Sequence, residues 1–424
     1  MQSTASANFP RLVGDIGGTH IRFAVVAAPG AAPARIRRHA CADFPGPEAA
    51  IRHYLAAEGL ALPPVAAFGI ATPLDGDAVR MTNHPWAFSI EALRQALGFA
   101  QLVFINDFTA LALALPQLKG TELEQIGGGT PRPGAPLALL GAGTGLGVSG
   151  LIPCGAGWQP LAGEGGHVSL AAGNAREAAI IAVLAARFGH VSAERALSGP
   201  GIAALHDAIR QLEGAPPCQL DSREISARAL AGSCPHCIEA LELFCALLGS
   251  VAGDLALTLG ARGGVYVGGG IVPALGGFFE RSGFRARFEA KGRFSAYLAG
   301  VPTYVIRAPY AALSGASEAL DRATPAPPMP PEATETIEAA PDAAPETAPA
   351  PDATPQPPAA PPAALPGRGA PRSGPAAAAG RTAARPSVLR IGTAGLRRTA
   401  GLPPACSSRS RFCGSESGSS RKSI

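Results

Sequence analysis

Two observations over the first 322 residues predict an α/β protein. Apolar runs with strand and helix periodicity alternate, and the alternation begins twice, each time with a strand, a glycine turn and a second strand. A third observation limits that fold to part of the chain. Of the 42 prolines among 424 residues, 20 lie in the last 102, whereas Phe412 is the one aromatic residue there. The expectation is two α/β lobes followed by an extension of another kind.

The elements follow in order. Leu12 to Val26 is two apolar runs broken by Gly17, Gly18 and Thr19, a β-hairpin signature. Pro47 to Gly59 has helical apolar spacing, Val65 to Ala71 reads as a buried strand, and Ile90 to Leu97 as a helix. The strand Leu102 to Ile105 leads into an apolar helical run from Phe108 to Leu115, which Pro116 ends. At Leu137 the plan starts again with strand, glycine loop and strand. Ala178 to Phe188 and Ile238 to Leu259 are long enough for helices, and the strand Gly264 to Val267 precedes Gly268, Gly269 and Gly270. From Ala323 the chain alternates Pro, Ala and Thr and lacks the apolar residues to offset its ordering entropy, so a solvated, disordered extension is expected, with a weak electrostatic contact to an acidic surface as the alternative and Cys406 and Cys413 as unpaired surface thiols.

Composition excludes several classes. Before Ala323 there are 24 basic and 24 acidic residues, so the whole excess of +4 lies in the extension and the folded part does not read as a nucleic-acid binder. Eight scattered cysteines fit a reducing compartment, and the N-terminus lacks the basic start and apolar core of a signal peptide. Pro133 to Gly163 is uncharged but holds nine glycines. Each costs about 1 kcal/mol in a helix interior, so this stretch reads as strands and not as a membrane span.

Three glycine clusters could cradle phosphate: Asp15-Ile-Gly-Gly-Thr19, Gly141-Ala-Gly-Thr-Gly-Leu-Gly147 and Gly268-Gly-Gly270. The three lysines, Lys119, Lys291 and Lys422, do not follow glycines, so no Walker A loop is present. Gly145-x-Gly147-x-x-Gly150 matches a dinucleotide fingerprint, but Leu-Ile-Pro-Cys-Gly follows where that unit needs a helix. Taken singly, each cluster is equally a tight hairpin turn.

The polar residues concentrate at a few places. Asn106-Asp107 ends a strand and opens a helix, which suits a carboxylate in the crevice of an α/β sheet and also suits helix capping. Glu164 and His167 sit three apart in a glycine-rich turn that is either a ligand site or an exposed turn; with no third ligand nearby, zinc is not expected there. Glu194 alone fits a surface helix. Thr82-Asn-His-Pro-Trp86 is a recognition loop or a turn held by a core Trp. Cys234-Pro-His-Cys237 has thioredoxin spacing before a helix but no surrounding thioredoxin frame, and reads as structural or incidental, with redox control as the alternative.

Together, Leu12-Val-Gly-Asp-Ile-Gly-Gly-Thr19, Met81-Thr-Asn-His-Pro-Trp86, Phe104-Ile-Asn-Asp-Phe-Thr109, the Gly141–Gly147 loop, Gly163-Glu-Gly-Gly-His167, Ser192-Ala-Glu-Arg195 with Leu197-Ser-Gly-Pro-Gly201, and Gly268-Gly-Gly-Ile-Val-Pro273 resemble bacterial ATP-dependent glucokinase, in order, over roughly residues 10 to 321. The chain is unlike the related repressor/kinase sugar family, whose cysteine-rich zinc motif after the Gly-His turn is replaced here by Ser-Leu-Ala-Ala-Gly-Asn. The resemblance implies a hexokinase-type, actin-like (ribonuclease H-like) ATPase fold. Residues 10–116 would form a small lobe completed by a C-terminal helix at 308–322, and residues 117–307 a large lobe across a cleft, with 323–424 as the tail. It implies transfer of phosphate from ATP to the 6-hydroxyl of D-glucose, feeding glycolysis, in a cytoplasmic enzyme that is a homodimer and binds neither nucleic acid nor membrane.

In that family's pattern Asp107 is the catalytic base, and Asn106, Asp107, Glu164, His167 and Glu194 surround the sugar. Asp15, Gly17, Gly18, Thr19, Gly141, Gly143, Thr144 and Gly145 face the phosphates, and Gly268, Gly269 and Gly270 pass beneath adenosine. Mg²⁺ would arrive on ATP without direct protein ligands, with Asp15 in its outer sphere. Kinase activity on another hexose such as mannose, a sugar-sensing regulator and a polymerising actin-like ATPase are the rival readings. Intact Asp107 with both phosphate loops argues against the regulator, and the Glu164–His167 turn against the ATPase.

Overall fold

The computed structural model describes residues 8–82, 84–155 and 157–323; the extension beyond Ala323, with Cys406 and Cys413, lies outside the described residues. The strands among them are β1 (Arg11–Ile16), β2 (His20–Val26), β3 (Ala34–Ala40), β4 (Val65–Ile70), β5 (Ala78–Arg80), β6 (Ala87–Ser89), β7 (Gln101–Asn106), β8 (Leu123–Ile126), β9 (Leu137–Ala142), β10 (Leu146–Cys154), β11 (Gly157–Gly163), β12 (Gly264–Gly268) and β13 (Thr303–Ile306). One sheet has the order β3-β2-β1-β4-β7 and another β11-β10-β9-β12-β13-β8, while β5 and β6 form a separate pair.

The two larger sheets repeat one plan. In the first, β1 and β2 form an antiparallel hairpin, closed by Ile16 opposite Ile21, and β1 continues into parallel β4 and β7. In the second, β9 and β10 form the hairpin, and β9 continues into parallel β12 and β13. The parallel strands are apolar on both faces, as β4 (Val-Ala-Ala-Phe-Gly-Ile, buried throughout) demands cover on both sides. Helices Pro47–Ala57 and Ile90–Leu97 cover one face of the first sheet around Phe23, Ile51, Tyr54, Phe68 and Phe104. The C-terminal helix Ala311–Arg322 covers the other through Leu313, Ala316 and Leu320 against Val13, Ala24 and Ala67.

Buried Arg11 fixes that last helix. It donates to the Ser317 carbonyl at 2.9 Å and, through two nitrogens, to both carboxylate oxygens of Asp321 at 2.8 and 2.5 Å. Helix Asp107–Ala114 packs between the Ala311–Arg322 helix and the second sheet, in a cluster containing Ala112, Leu137, Leu139, Leu151 and Tyr266. Helices Ala175–Phe188, Gly199–Leu212 and Pro235–Leu259 bury the largest cluster against β9 and β12.

Where the expectations fell short, tertiary context explains the difference. β3 is Ala-Arg-Ile-Arg-Arg-His-Ala, a mostly exposed strand whose charges suit a sheet edge and hide its periodicity. Helix Gly199–Leu212 opens on Gly-Pro-Gly, poor helix formers, but Ser198 caps it by accepting from the Gly201 N–H at 3.1 Å, and Pro is tolerated in a first turn. The uncharged Pro133–Gly163 stretch forms β9, β10 and β11 as strands. Among the described residues one helix, Pro235–Leu259, is long and apolar enough to cross a membrane, and more than half of that stretch is buried within the protein.

Candidate active site

The carboxyl ends of β1, β7, β9 and β12 carry most of the residues singled out above. At the end of β7, Asn106 caps the next helix: its side-chain oxygen accepts from the N–H groups of Phe108 at 2.9 Å and Thr109 at 3.1 Å. Capping fixes the chain direction there and places Asp107 in the first turn, where its carboxylate also accepts from the Phe108 N–H at 2.9 Å. Burial pushes the Asp107 carboxyl up to about 6, and the neighbouring carboxylates of Asp15 and Glu164 push the same way against that backbone hydrogen bond. Asp107, Asp15 and Glu164 are therefore one electrostatic cluster.

Asp15, at the end of β1, is itself raised, chiefly by burial, although Arg22 opposes this through an ion pair of 2.6 Å. Arg22 was not singled out from the sequence. Its signal was available, because a hairpin that pairs Ile16 with Ile21 also pairs Asp15 with Arg22. In the turn between, the Gly17 N–H donates to the His20 carbonyl at 2.9 Å, so it is not the free phosphate donor that the motif suggested. The Gly18 and Thr19 N–H groups have no acceptor among the described residues, and Thr19 is exposed. Buried Cys41 supports the turn from beneath by donating to the Gly17 carbonyl at 3.2 Å.

The second glycine loop is similar. Gly143 donates to the Gly145 carbonyl at 2.8 Å and accepts from the Gly199 N–H at 2.8 Å, so its N–H is likewise committed, which leaves exposed Thr144 and half-buried Gly145 with N–H groups unpaired among the described residues. Glu194 accepts from the Leu146 N–H at 2.9 Å, which commits one of its carboxylate oxygens to this loop. Two close approaches explain the glycines. A Cβ on Gly147 would overlap the Phe108 ring, and a Cβ on Gly141 would lie 2.5 Å from the Gly268 carbonyl carbon. The Gly141–Gly147 loop thus meets the Asp107 helix backbone to ring and the Gly268–Gly270 cluster backbone to backbone. Gly269 adopts φ +78°, and Gly269 and Gly270 are exposed.

Glu164 and His167 are exposed on a short turn in which the His167 N–H donates to the Glu164 carbonyl at 3.0 Å. The Ala193 N–H donates to the Val168 carbonyl at 2.8 Å, so this turn and the Glu194 helix (Ala193–Ala196) are held together. Trp86 anchors its loop as a core residue, buried and donating to the Phe44 carbonyl at 3.1 Å; Asn83 of that loop lies outside the described residues. The arrangement offers a buried carboxylate of raised pKa, flanked by acidic oxygens of the kind Mg²⁺ prefers and by two turns with unpaired N–H donors. That is equipment for accepting a proton beside a polyphosphate.

The sequence profile of the glucokinase family matches residues 12–323. The chain belongs to the glucokinase family. A glucokinase of Aromatoleum aromaticum is 66% identical over 324 residues, covering 76% of this chain and 98% of that one. The glucokinase of Chromobacterium violaceum is 58% identical over 324 residues, covering 75% and 93% respectively. A crystal structure of a glucokinase from an Antarctic psychrotroph superposes with a TM-score of 0.68 at 38% identity, covering 74% of this chain and 99% of that one. The glucokinase match contains every site residue named above and ends where the described residues end.

Proposed function

We propose that this chain transfers the γ-phosphoryl group of ATP to the 6-hydroxyl of D-glucose, giving ADP and glucose 6-phosphate. The observation that carries the reading is Asp107: a carboxylate raised to about 6, fixed at a helix start between two glycine turns, in a chain 66% identical to a glucokinase. The two large sheets are then two lobes about a cleft, residues 10–116 with the C-terminal helix forming one and 117–307 the other. The cleft is the site just described.

Asp107 accepts the hydroxyl proton as the sugar oxygen forms its bond to phosphorus and the bond to the ADP oxygen breaks. A base near 6 is still largely ionised at pH 7, yet takes a proton more readily than an ordinary carboxylate. Asn106 orients the base through the helix cap. Glu164, His167 and the free oxygen of Glu194 hold sugar hydroxyls, and a mispositioned hydroxyl in an epimer leaves such groups unpaired. Gly18, Thr19, Thr144 and Gly145 donate to phosphate oxygens, and Gly268 to Gly270 leave room for adenosine. Phosphoryl transfer through a loose transition state needs this positioning more than it needs covalent chemistry. The cluster of Asp15, Asp107 and Glu164, with a single arginine partner, fits a site completed by Mg²⁺, which would neutralise the phosphate oxygens, with Asp15 reaching it through water. The reading includes a cytoplasmic location and a homodimer.

A coupled assay of the purified chain across hexose epimers tests the assignment. D-glucose is expected to show the highest kcat/KM, and Asp107→Asn to lower kcat at least about a hundredfold while glucose binding persists. Wild-type turnover in that variant would remove Asp107 as the base.

A further inference from the structure

Away from the active site, three groups with metal-binding chemistry converge. Cys234 is the N-cap residue of helix Pro235–Leu259, Cys237 lies in that helix's first turn, and His206 lies on helix Gly199–Leu212, which packs against it. A ring nitrogen of His206 and the two sulfurs all lie within 4.8 Å of one another. His206 is fully buried, and neither of its ring nitrogens has a hydrogen-bond partner among the described residues. A neutral imidazole carries one donor and one acceptor, and native proteins seldom bury both unpaired. The nearest carboxylate oxygen, Oδ1 of Asp207, is 3.7 Å from Nδ1, too far to serve.

Two occupants fit a Cys-x-x-Cys pair at a helix start, a disulfide and a thiophilic cation, and His206 decides between them. A disulfide would leave the imidazole as orphaned as before. A cation would use one of its nitrogens together with both sulfurs, and two sulfurs with one imidazole are a donor set suited to Zn²⁺. Zinc ligand atoms in a tetrahedral site stand about 3.5–3.8 Å apart, so the groups need to draw together by only about 1 Å. Cys237 is buried, whereas Cys234 is half-buried, so the group is reached from solvent at Cys234.

We propose that His206, Cys234 and Cys237 form a zinc site that ties the start of helix Pro235–Leu259 to helix Gly199–Leu212. The site is independent of the phosphotransferase reading, because none of the three residues belongs to the active site.

The test uses the full chain purified under mild reduction, with zinc measured by elemental analysis after dialysis. About one zinc per chain is expected, falling to background in Cys234→Ser and in His206→Gln. Cobalt added to the stripped chain should give a thiolate-to-cobalt charge-transfer band that Cys234→Ser abolishes, and zinc should raise the melting temperature of the wild type but not of that variant. Glucose phosphorylation by each variant reports that it is folded. If His206→Gln does not fold, the half-buried Cys234→Ser variant carries the test alone. Absence of bound zinc and of the cobalt band, undiminished metal in Cys234→Ser, or a Cys234–Cys237 disulfide in the mass spectrum of the purified chain would each overturn the proposal.

Discussion

Replacing Asp107 by Asn should stabilise the empty protein while disabling it, and the size of the gain follows from the site. The Asp107 carboxyl is raised from an ordinary 3.8 to about 6 in the folded chain. At about 1.4 kcal/mol for each pH unit of that gap, the ionised group costs the fold about 3 kcal/mol. The sign sets the pH window. Below about pH 4 the carboxyl is protonated in both folded and unfolded chains, and no cost exists. The cost grows as pH rises through 4 to 6 and is complete above about 7. The substituted amide would keep an oxygen to accept from the Phe108 N–H, but carries no charge to bury beside Asp15 and Glu164. Asp107→Asn should therefore gain about 3 kcal/mol at pH 8, or roughly 6 °C in melting temperature for a domain of this size. At pH 4.5 it should gain much less. Urea unfolding and thermal melts of both proteins without ligands, at pH 4.5, 6 and 8, measure the difference. Equal stability at pH 8, or a gain independent of pH, would refute the electrostatic account even if turnover were lost.

Three further outcomes follow from the same geometry. The kcat/KM for glucose should fall about tenfold per pH unit below about 6 as Asp107 of the free enzyme is protonated, whereas a flat profile between pH 5 and 7 would exclude it. Gly147→Ala should displace the Phe108 ring, and with it the turn that holds Asp107, lowering kcat more than about tenfold; adding Phe108→Leu should recover part of the loss, and additive effects would show that the contact is irrelevant. Arg11→Met should leave the Ser317 carbonyl and Asp321 unpaired and cost about 1–3 kcal/mol in urea unfolding, an effect that should be absent if the Ala311–Arg322 helix is held by its apolar face alone.

Strands and helices with a clean period were legible because their burial is lopsided or complete. Ile90–Leu97 and Val65–Ile70 needed no tertiary information. β3 was not legible, because a charged edge strand has nothing periodic to bury, and Gly199–Leu212 was not, because Ser198 and its packing override Gly-Pro-Gly. In the candidate site, Asp107 and Asn106 could be placed from the strand–helix junction alone, and in the structure Asn106 caps the helix while the Asp107 carboxyl beside it is pushed up by burial. What the motifs could not show is which donors are already in use. Gly17 and Gly143 spend their N–H groups inside their own turns, and Glu194 commits an oxygen to Leu146, because a tight turn satisfies its own backbone before any ligand arrives.

Dependence on a divalent cation is expected from the charges these turns lack. Neither glycine turn is followed by a lysine, and Arg22 is already paired with Asp15. A triphosphate entering here would meet Asp15, Asp107 and Glu164. Each like-charge pair at about 5 Å opposes binding by about 3 kcal/mol at an effective dielectric near 20, more than a few neutral N–H donors return. Chelation of divalent metal should therefore lower kcat/KM for ATP at least about a thousandfold while glucose binding, followed by calorimetry, stays within about threefold, since sugar hydroxyls are neutral. Adding Mg²⁺ should restore turnover. More than a tenth of full activity under chelation would mean that the turns neutralise the phosphates unaided, and the acidic cluster would need another explanation.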